Sequence, residues 1–202
     1  TDNVAVGDTA LDSIESGATD NVAIGSAAGT ALNTGIMNTL IGSLAGDAIT
    51  DGKYNIALGK SALSADTSGN RSIAIGLGAL ETQNFTSDTD VYNIGIGHRA
   101  GTAVTTGVRN SLIGGLSGDA LTVGSYNVAL GYDALSADTQ GSRNVAIGYG
   151  ALDDQNFTSA TDSYNVGVGF GAGSGITTGI NNTLIGAVAG DALTDADTNV
   201  AV

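Results

Sequence analysis

The chain has 202 residues, with 32 Gly, no Pro, no Cys, no Trp and a formal net charge of −14. The absence of Pro and of a Gly-x-y register excludes a collagen-like fold, and the absence of Cys excludes a disulfide framework and any thiolate metal site. The acidity argues against nucleic acid or anionic membrane as a partner, and no apolar run approaches the ~20 residues of a membrane-inserted helix.

Reading from the N-terminus, the phrase "NVAVG" (3–7) is followed by "NVAIG" (21–25), "NTLIG" (38–42) and "NIALG" (55–59). The phrase begins at Asn3, Asn21, Asn38, Asn55, Ser72, Asn93, Asn110, Asn127, Asn144, Asn165, Asn182 and Asn199. The steps between them are 18, 17, 17, 17, 21, 17, 17, 17, 21, 17 and 17 residues. A unit this short cannot be a domain, so each copy is a building block of a repeat fold. In "NVAIG" the second and fourth positions are large and mostly β-branched, as in Val22/Ile24, Ile56/Leu58 and Val145/Ile147, while the third is usually Ala or Gly, with Leu at Leu40, Leu112 and Leu184. This alternation predicts a short strand, and the closing glycine (Gly25, Gly59, Gly148) predicts a corner. A strand, a glycine corner, a second short stretch and a polar loop make one coil. The expected fold is therefore all-β, a parallel β-solenoid of about eleven coils. At ~4.8 Å per coil the rod is ~53 Å long. The leading Asn, replaced only by Ser72, is placed to form a hydrogen-bonded side-chain ladder along it.

Nine positions after each leading residue stands a second column: Asp12, Thr30, Asp47, Ser64, Glu81, Thr102, Asp119, Ser136, Asp153, Ser174 and Asp191. Acid and hydroxyl alternate throughout. On a stacked column this spaces like charges, which repel when directly opposite on adjacent strands. One carboxylate per level is a poor oxygen cage, so the column reads as charge spacing rather than as a calcium stripe.

The coil interior is expected to be filled in two ways. Units ending in Ala-Leu (Leu63, Leu80, Leu135, Leu152) carry Asp or Gln three residues later, whereas units ending in Gly (Gly29, Gly46, Gly101, Gly118) carry Leu32, Ile49, Val104 or Leu121 there. One large side chain per coil, entering from alternate sides, conserves volume in a thin core.

After Ser72 the first 21-residue unit adds four residues within "ETQNFTSDTD" (81–90), and "DDQNFTSATD" (153–162) repeats it 72 residues later. The chain is thus a single repeat domain, 1–202, of super-repeats 21–92 and 93–164 and a partial copy, 165–202. It carries no initiator Met and stops inside a phrase, and is expected to be an excerpt of a longer protein.

The N-x-A-I-G-x-x-A phrase resembles the head repeats of trimeric autotransporter adhesins (YadA-like) and related repeats of phage tail fibres. The resemblance covers all twelve phrases and implies a left-handed β-roll, three chains side by side, and an extracellular place on a virion tail fibre or bacterial surface. The implied function is that of a fibre shaft or adhesin segment that attaches to a surface through a glycan or protein receptor. Units of 17 and 21 residues depart from the shorter coils of that family.

No enzyme is expected. The single His98 has Phe170 in its place 72 residues later, and no Ser/Cys–His–acid set exists. Acid pairs that could cleave glycans do not recur, since Asp88 becomes Ala160. No cofactor or metal is implied. A self-assembling extracellular filament is the alternative, and an ice-binding face is disfavoured because Thr39 and Thr183 do not form a continuous Thr column.

Two surfaces carry the expected contacts. The small third-position residues Ala23, Ala57, Ala74, Gly95, Ala129, Ala146 and Gly167 point away from the Val/Ile face and are expected to form the homotrimer contact. In the two long units, Asn84 with Phe85 and Asn156 with Phe157 stand in polar loops, where they serve either as receptor contacts or, for the rings, as plugs of a widened coil.

Overall fold

The computed structural model describes residues 2–202. It is an all-β parallel solenoid whose twelve short strands form one sheet in chain order, from Val4–Val6 to Val200–Ala201. Equivalent phrase positions pair directly: Val22 with Thr39, Ala23 with Leu40 and Ile24 with Ile41. Across the first 21-residue step the pairing is still Ile73 with Ile94, so the four extra residues cause no slip. They are absorbed beside the sheet, where Gly69–Asn70 pairs with Thr89–Asp90 and Gly141–Ser142 with Thr161–Asp162.

The second stretch expected in each coil is not a strand. It is a run of turns whose backbone still bonds from coil to coil, as in Gly29 N–H to Ala45 C=O and Ala31 N–H to Asp47 C=O, both 3.0 Å. The reason lies in the dihedral angles. In one coil Tyr54, Ser61 and Leu63 have φ of 62°, 55° and 53°, and the same positions are left-handed coil after coil, in 24 non-glycine residues altogether. Left-handed residues turn the chain sharply and cannot lie within a strand. The closing glycine, near +135°, is a separate case: a Cβ at Gly25 would sit 2.6 Å from the carbonyl of Gly42 in the next coil. That position admits no side chain.

The leading asparagines form the ladder. Asn38 is fully buried; its backbone N–H and its Nδ2 both donate to Asn21 Oδ1, at 2.9 and 3.0 Å. Its Nδ2 also donates to the Gly52 carbonyl at 2.8 Å, a bond across its own coil. The side chain therefore fixes the register to the preceding coil and closes its own loop. A buried amide with every group bonded is a stable arrangement, whereas one left open costs about 1–3 kcal/mol.

The core follows the two filling patterns. Leu32, Leu40, Ile49, Leu63, Leu80, Leu112, Leu121, Leu135, Leu152, Ile176 and Leu184 are the large apolar side chains wholly withdrawn from solvent. Glycine makes room for them. A Cβ at Gly29 would meet Leu40 Cδ1 at 2.7 Å and Leu11 Cδ2 at 3.0 Å, so leucines from the coils on either side fill the space above that glycine. Coils with Leu63 or Leu135 supply that leucine themselves and place Asp66 or Asp138 where the others carry an aliphatic residue.

Candidate functional site

The strand alternation decides which residues face outward. In the coil of Asn55, Tyr54, Ile56, Leu58 and Lys60 are exposed, while Asn55 and Ala57 are buried. Every coil repeats the alternation, with the outward residues exposed or half-buried, so four columns lie side by side on one face. The inner two are Val, Ile, Leu, Thr or Ser, from Val4 and Val6 through Val128 and Leu130 to Ile185. The face is at most ~20 Å wide, six steps of extended chain, and ~53 Å long.

The small residues expected at the trimer contact lie on the opposite side. Ala23, Ala57, Ala74, Ala129 and Ala146 have no exposed surface, and Gly95 and Gly167 are buried as well. They line the interior because the coil is too thin for anything larger beside the leucines. At Gly95 a Cβ would stand 2.8 Å from Leu80 Cγ and 3.0 Å from the Ala100 carbonyl. They cannot form an interface between chains; the aliphatic columns on either side of them are the available face.

The flanking columns are ordered ladders. Tyr54, Arg71, Tyr92, Arg109, Tyr126, Arg143 and Tyr164, each directly before a leading residue, alternate aromatic ring and guanidinium over seven coils. Arg71 lies 4.6 Å from the Tyr54 ring centre and 5.8 Å from that of Tyr92; Arg143 lies 4.8 Å from Tyr126 and 5.7 Å from Tyr164. Arg109 lies 5.4 Å from the Tyr126 ring and donates from Nη1 to its hydroxyl at 2.6 Å. On the other edge Tyr132, Tyr149 and Phe170 stack with ring centres 5.6 and 5.3 Å apart. Both ladders are legible as columns once the sequence is written in coils, and the strict Tyr/Arg alternation is the signal that would have found the first.

The long-coil loops are fastened inward. Phe85 and Phe157 are only 9% and 7% exposed, so the rings plug the widened coils and are not presented to a receptor. The Phe85 N–H donates to Asp66 Oδ1 at 2.9 Å, and its carbonyl accepts from Ser68 N and Thr67 Oγ1. Asn84 and Asn156 are exposed, and each accepts from a threonine of the preceding coil, Thr67 and Thr139.

Beneath these loops lie two buried polar networks that the residue types alone do not reveal. Gln83 donates to Asp66 Oδ2 at 2.5 Å and to Ser72 Oγ at 3.0 Å, and its Oε1 accepts from Asn93 Nδ2 at 2.9 Å. Gln155 repeats the bonds to Asp138 and Asn165. Burial pushes the carboxyls of Asp66 and Asp138 above the usual range, against the pull of the N–H groups aimed at them. Neither carboxylate has a cation beside it.

The acid–hydroxyl column has one direct side-chain link, Thr102 Oγ1 to Glu81 Oε2 at 3.4 Å; Thr30 and Ser64 bond to backbone carbonyls instead. Partial burial raises the carboxyls of Asp47, Asp119 and Asp153. Among the described residues no group of three His, Cys, Asp or Glu is arranged to hold a metal ion, and no helix is long and apolar enough to cross a membrane.

One notch opens on the flank of the rod, about 500 Å³ in volume and lined by Lys53, Tyr54, Asn70, Arg71, Asp88 and Asp90. Lys53 Nζ pairs with Asp88 Oδ2, and Arg71 Nε with Asp90 Oδ1, both at 2.9 Å. Asn70 Nδ2 holds the other Asp88 oxygen at 2.5 Å, and its Oδ1 accepts from the Lys53 N–H at 2.8 Å. The lysine and asparagine bonds hold the Asp88 carboxyl below its usual range. No family model, curated protein or solved structure matches the chain.

Proposed function

We propose that the chain is a non-enzymatic segment of an extracellular fibre shaft or adhesin, which assembles with copies of itself as a homotrimer and serves attachment to a surface. The observation that carries this reading is the outward face. Its area is at most on the order of 1,000 Å², about half of it the two aliphatic columns, a strip comparable to the largest apolar patches on monomers, which are often functional. The whole face is similar in size to the ~800 Å² that each partner contributes to a standard interface. A thin rod also gains from lateral association the buried area that a single coil lacks. Around a threefold axis the aliphatic columns would meet at the centre, with Tyr126, Arg143 and Tyr164 of one chain against the Tyr132–Tyr149–Phe170 edge of the next, which lies on the same coils. Rings and guanidinium groups are well suited to each other there.

The test is the mass in solution by sedimentation equilibrium. Wild type is expected at three times the 19.7 kDa chain mass. Leu58→Glu with Leu130→Glu, both on the outward face, is expected to give folded monomers by circular dichroism. A wild-type chain that stays monomeric at high micromolar concentration overturns the reading, and an open-ended polymer favours a filament instead.

A further inference from the structure

The notch on the flank has a composition that restricts what it can hold. Its lining carries two cations, Lys53 and Arg71, and two carboxylates, Asp88 and Asp90, already paired with each other. The charges cancel, so the site has no preference for an ion of either sign. The wall is polar, so an apolar ligand would strip water from charged groups without replacement.

What remains is hydrogen-bonding capacity held in fixed positions. Arg71 uses only Nε on Asp90, which leaves its terminal nitrogens as further donors. Lys53 has two further N–H donors beyond the one on Asp88. Donors and acceptors side by side suit a hydroxyl group, which gives one hydrogen bond and accepts another. Neighbouring hydroxyls on one ring suit the Arg71–Asp90 and Lys53–Asp88 pairs together. Tyr54, 40% exposed, adds an aromatic edge.

The second super-repeat acts as an internal control. Seventy-two residues on, Tyr126 and the Arg143–Asp162 pair recur at 3.1 Å, but Lys53, Asn70 and Asp88 are replaced by Ser125, Ser142 and Ala160. Ser142 Oγ still accepts the N–H of residue 125 at 3.0 Å, so the fold is served without the lysine, the amide or the second carboxylate. Those three residues are surplus to the coil. We infer that the notch formed by Lys53, Asn70, Arg71, Asp88 and Asp90 is a binding site for a neutral saccharide. This gives the receptor of the attachment reading its chemical class and rests on that reading.

The test uses the whole chain, saturation-transfer NMR and calorimetry, and three neutral probes: maltotetraose, cellotetraose and chitotetraose. Sialyllactose and a heparin tetrasaccharide serve as charged comparisons. Saturable binding to at least one neutral probe is expected. The replacement Lys53→Ser, Asn70→Ser, Asp88→Ala should weaken it about tenfold or more, as expected for lost hydrogen bonds to charged groups. The reverse graft, Ser125→Lys, Ser142→Asn, Ala160→Asp, should add a second equivalent site. Both triplets already exist on this coil geometry, so melting is expected to stay within a few degrees. No binding to any neutral probe, binding untouched by the replacement, or binding only to the charged probes overturns the inference. The mass of the same samples separates the two readings: a trimer that binds no saccharide sinks the notch alone, and a monomer that binds one sinks the fibre alone.

Discussion

The two super-repeats, 21–92 and 93–164, are the same structure built twice, and they differ according to which way a residue faces. Most inward positions are kept or change little, as in Leu32 to Val104 and Ile49 to Leu121, and one is exchanged as a compensating pair. Ser72 with Val91 becomes Asn144 with Ser163, and in the second arrangement Ser163 Oγ donates to Asn144 Oδ1 at 2.8 Å. Outward positions change more freely: Lys60 and Leu77 become Tyr132 and Tyr149, and the notch residues Lys53 and Asp88 become Ser125 and Ala160. The lesson is physical. A coil interior one side chain thick leaves no slack, so any change there must be answered within van der Waals distance, whereas the surface answers only to solvent and to partners.

The largest effect is expected where the two copies are most alike. Phe85→Ser and Phe157→Ser should each destabilise by about 3 kcal/mol and the pair by roughly twice that, since they lie apart along the rod. Urea titration followed by circular dichroism measures it. Unequal costs would break the equivalence of the two long coils, and an unchanged midpoint would mean that neither ring is a plug.

The exchanged pair sharpens the comparison at smaller scale. Asn144→Ser alone strands the Asn165 N–H, which donates to Asn144 Oδ1 at 3.1 Å, and leaves Ser163 Oγ only the Ser142 carbonyl at 3.1 Å, and should cost about 1–3 kcal/mol. Adding Ser163→Val recreates the arrangement of the first super-repeat and should recover most of that loss. A double-mutant cycle with no favourable coupling would show that the two substitutions are independent.

The smallest effect is one of pH. Asp66 and Asp138, shared by both copies, have folded-state pKa values raised by burial, and Asp47, Asp119 and Asp153 are raised in the same way. A raised folded pKa means that the folded state binds protons more readily. This contribution is complete below the unfolded carboxyl value of about 4 and is lost as pH rises through the folded value. The melting temperature should therefore be higher near pH 5 than at pH 7. Asp66→Asn with Asp138→Asn should lower stability at pH 7 and flatten the slope, because the new amide meets Gln83 or Gln155 donor to donor. A melting temperature that falls on mild acidification contradicts this assignment.

The period, the strand in each phrase, the glycine corners, the asparagine ladder and the alternating core fill were all legible in the sequence. Each of them is a regularity repeated eleven or twelve times, and stacking turns a repeated residue into a column. What the sequence left open was direction. Alternation says that Ala57 and Ile56 face opposite ways, but not which way is in. The hydrophobic expectation, large residues inward, fails here because the left-handed corners close the coil so tightly that only Ala, Gly or a single Leu fits within. The same closure buried Phe85 and Phe157 instead of presenting them. It also set Asp66 against Gln83, and Lys53 against Asp88 from 35 residues away. Those contacts depend on where the four extra residues go. Only the tertiary structure decides that, because a local pattern carries no information about the volume left inside a closed coil.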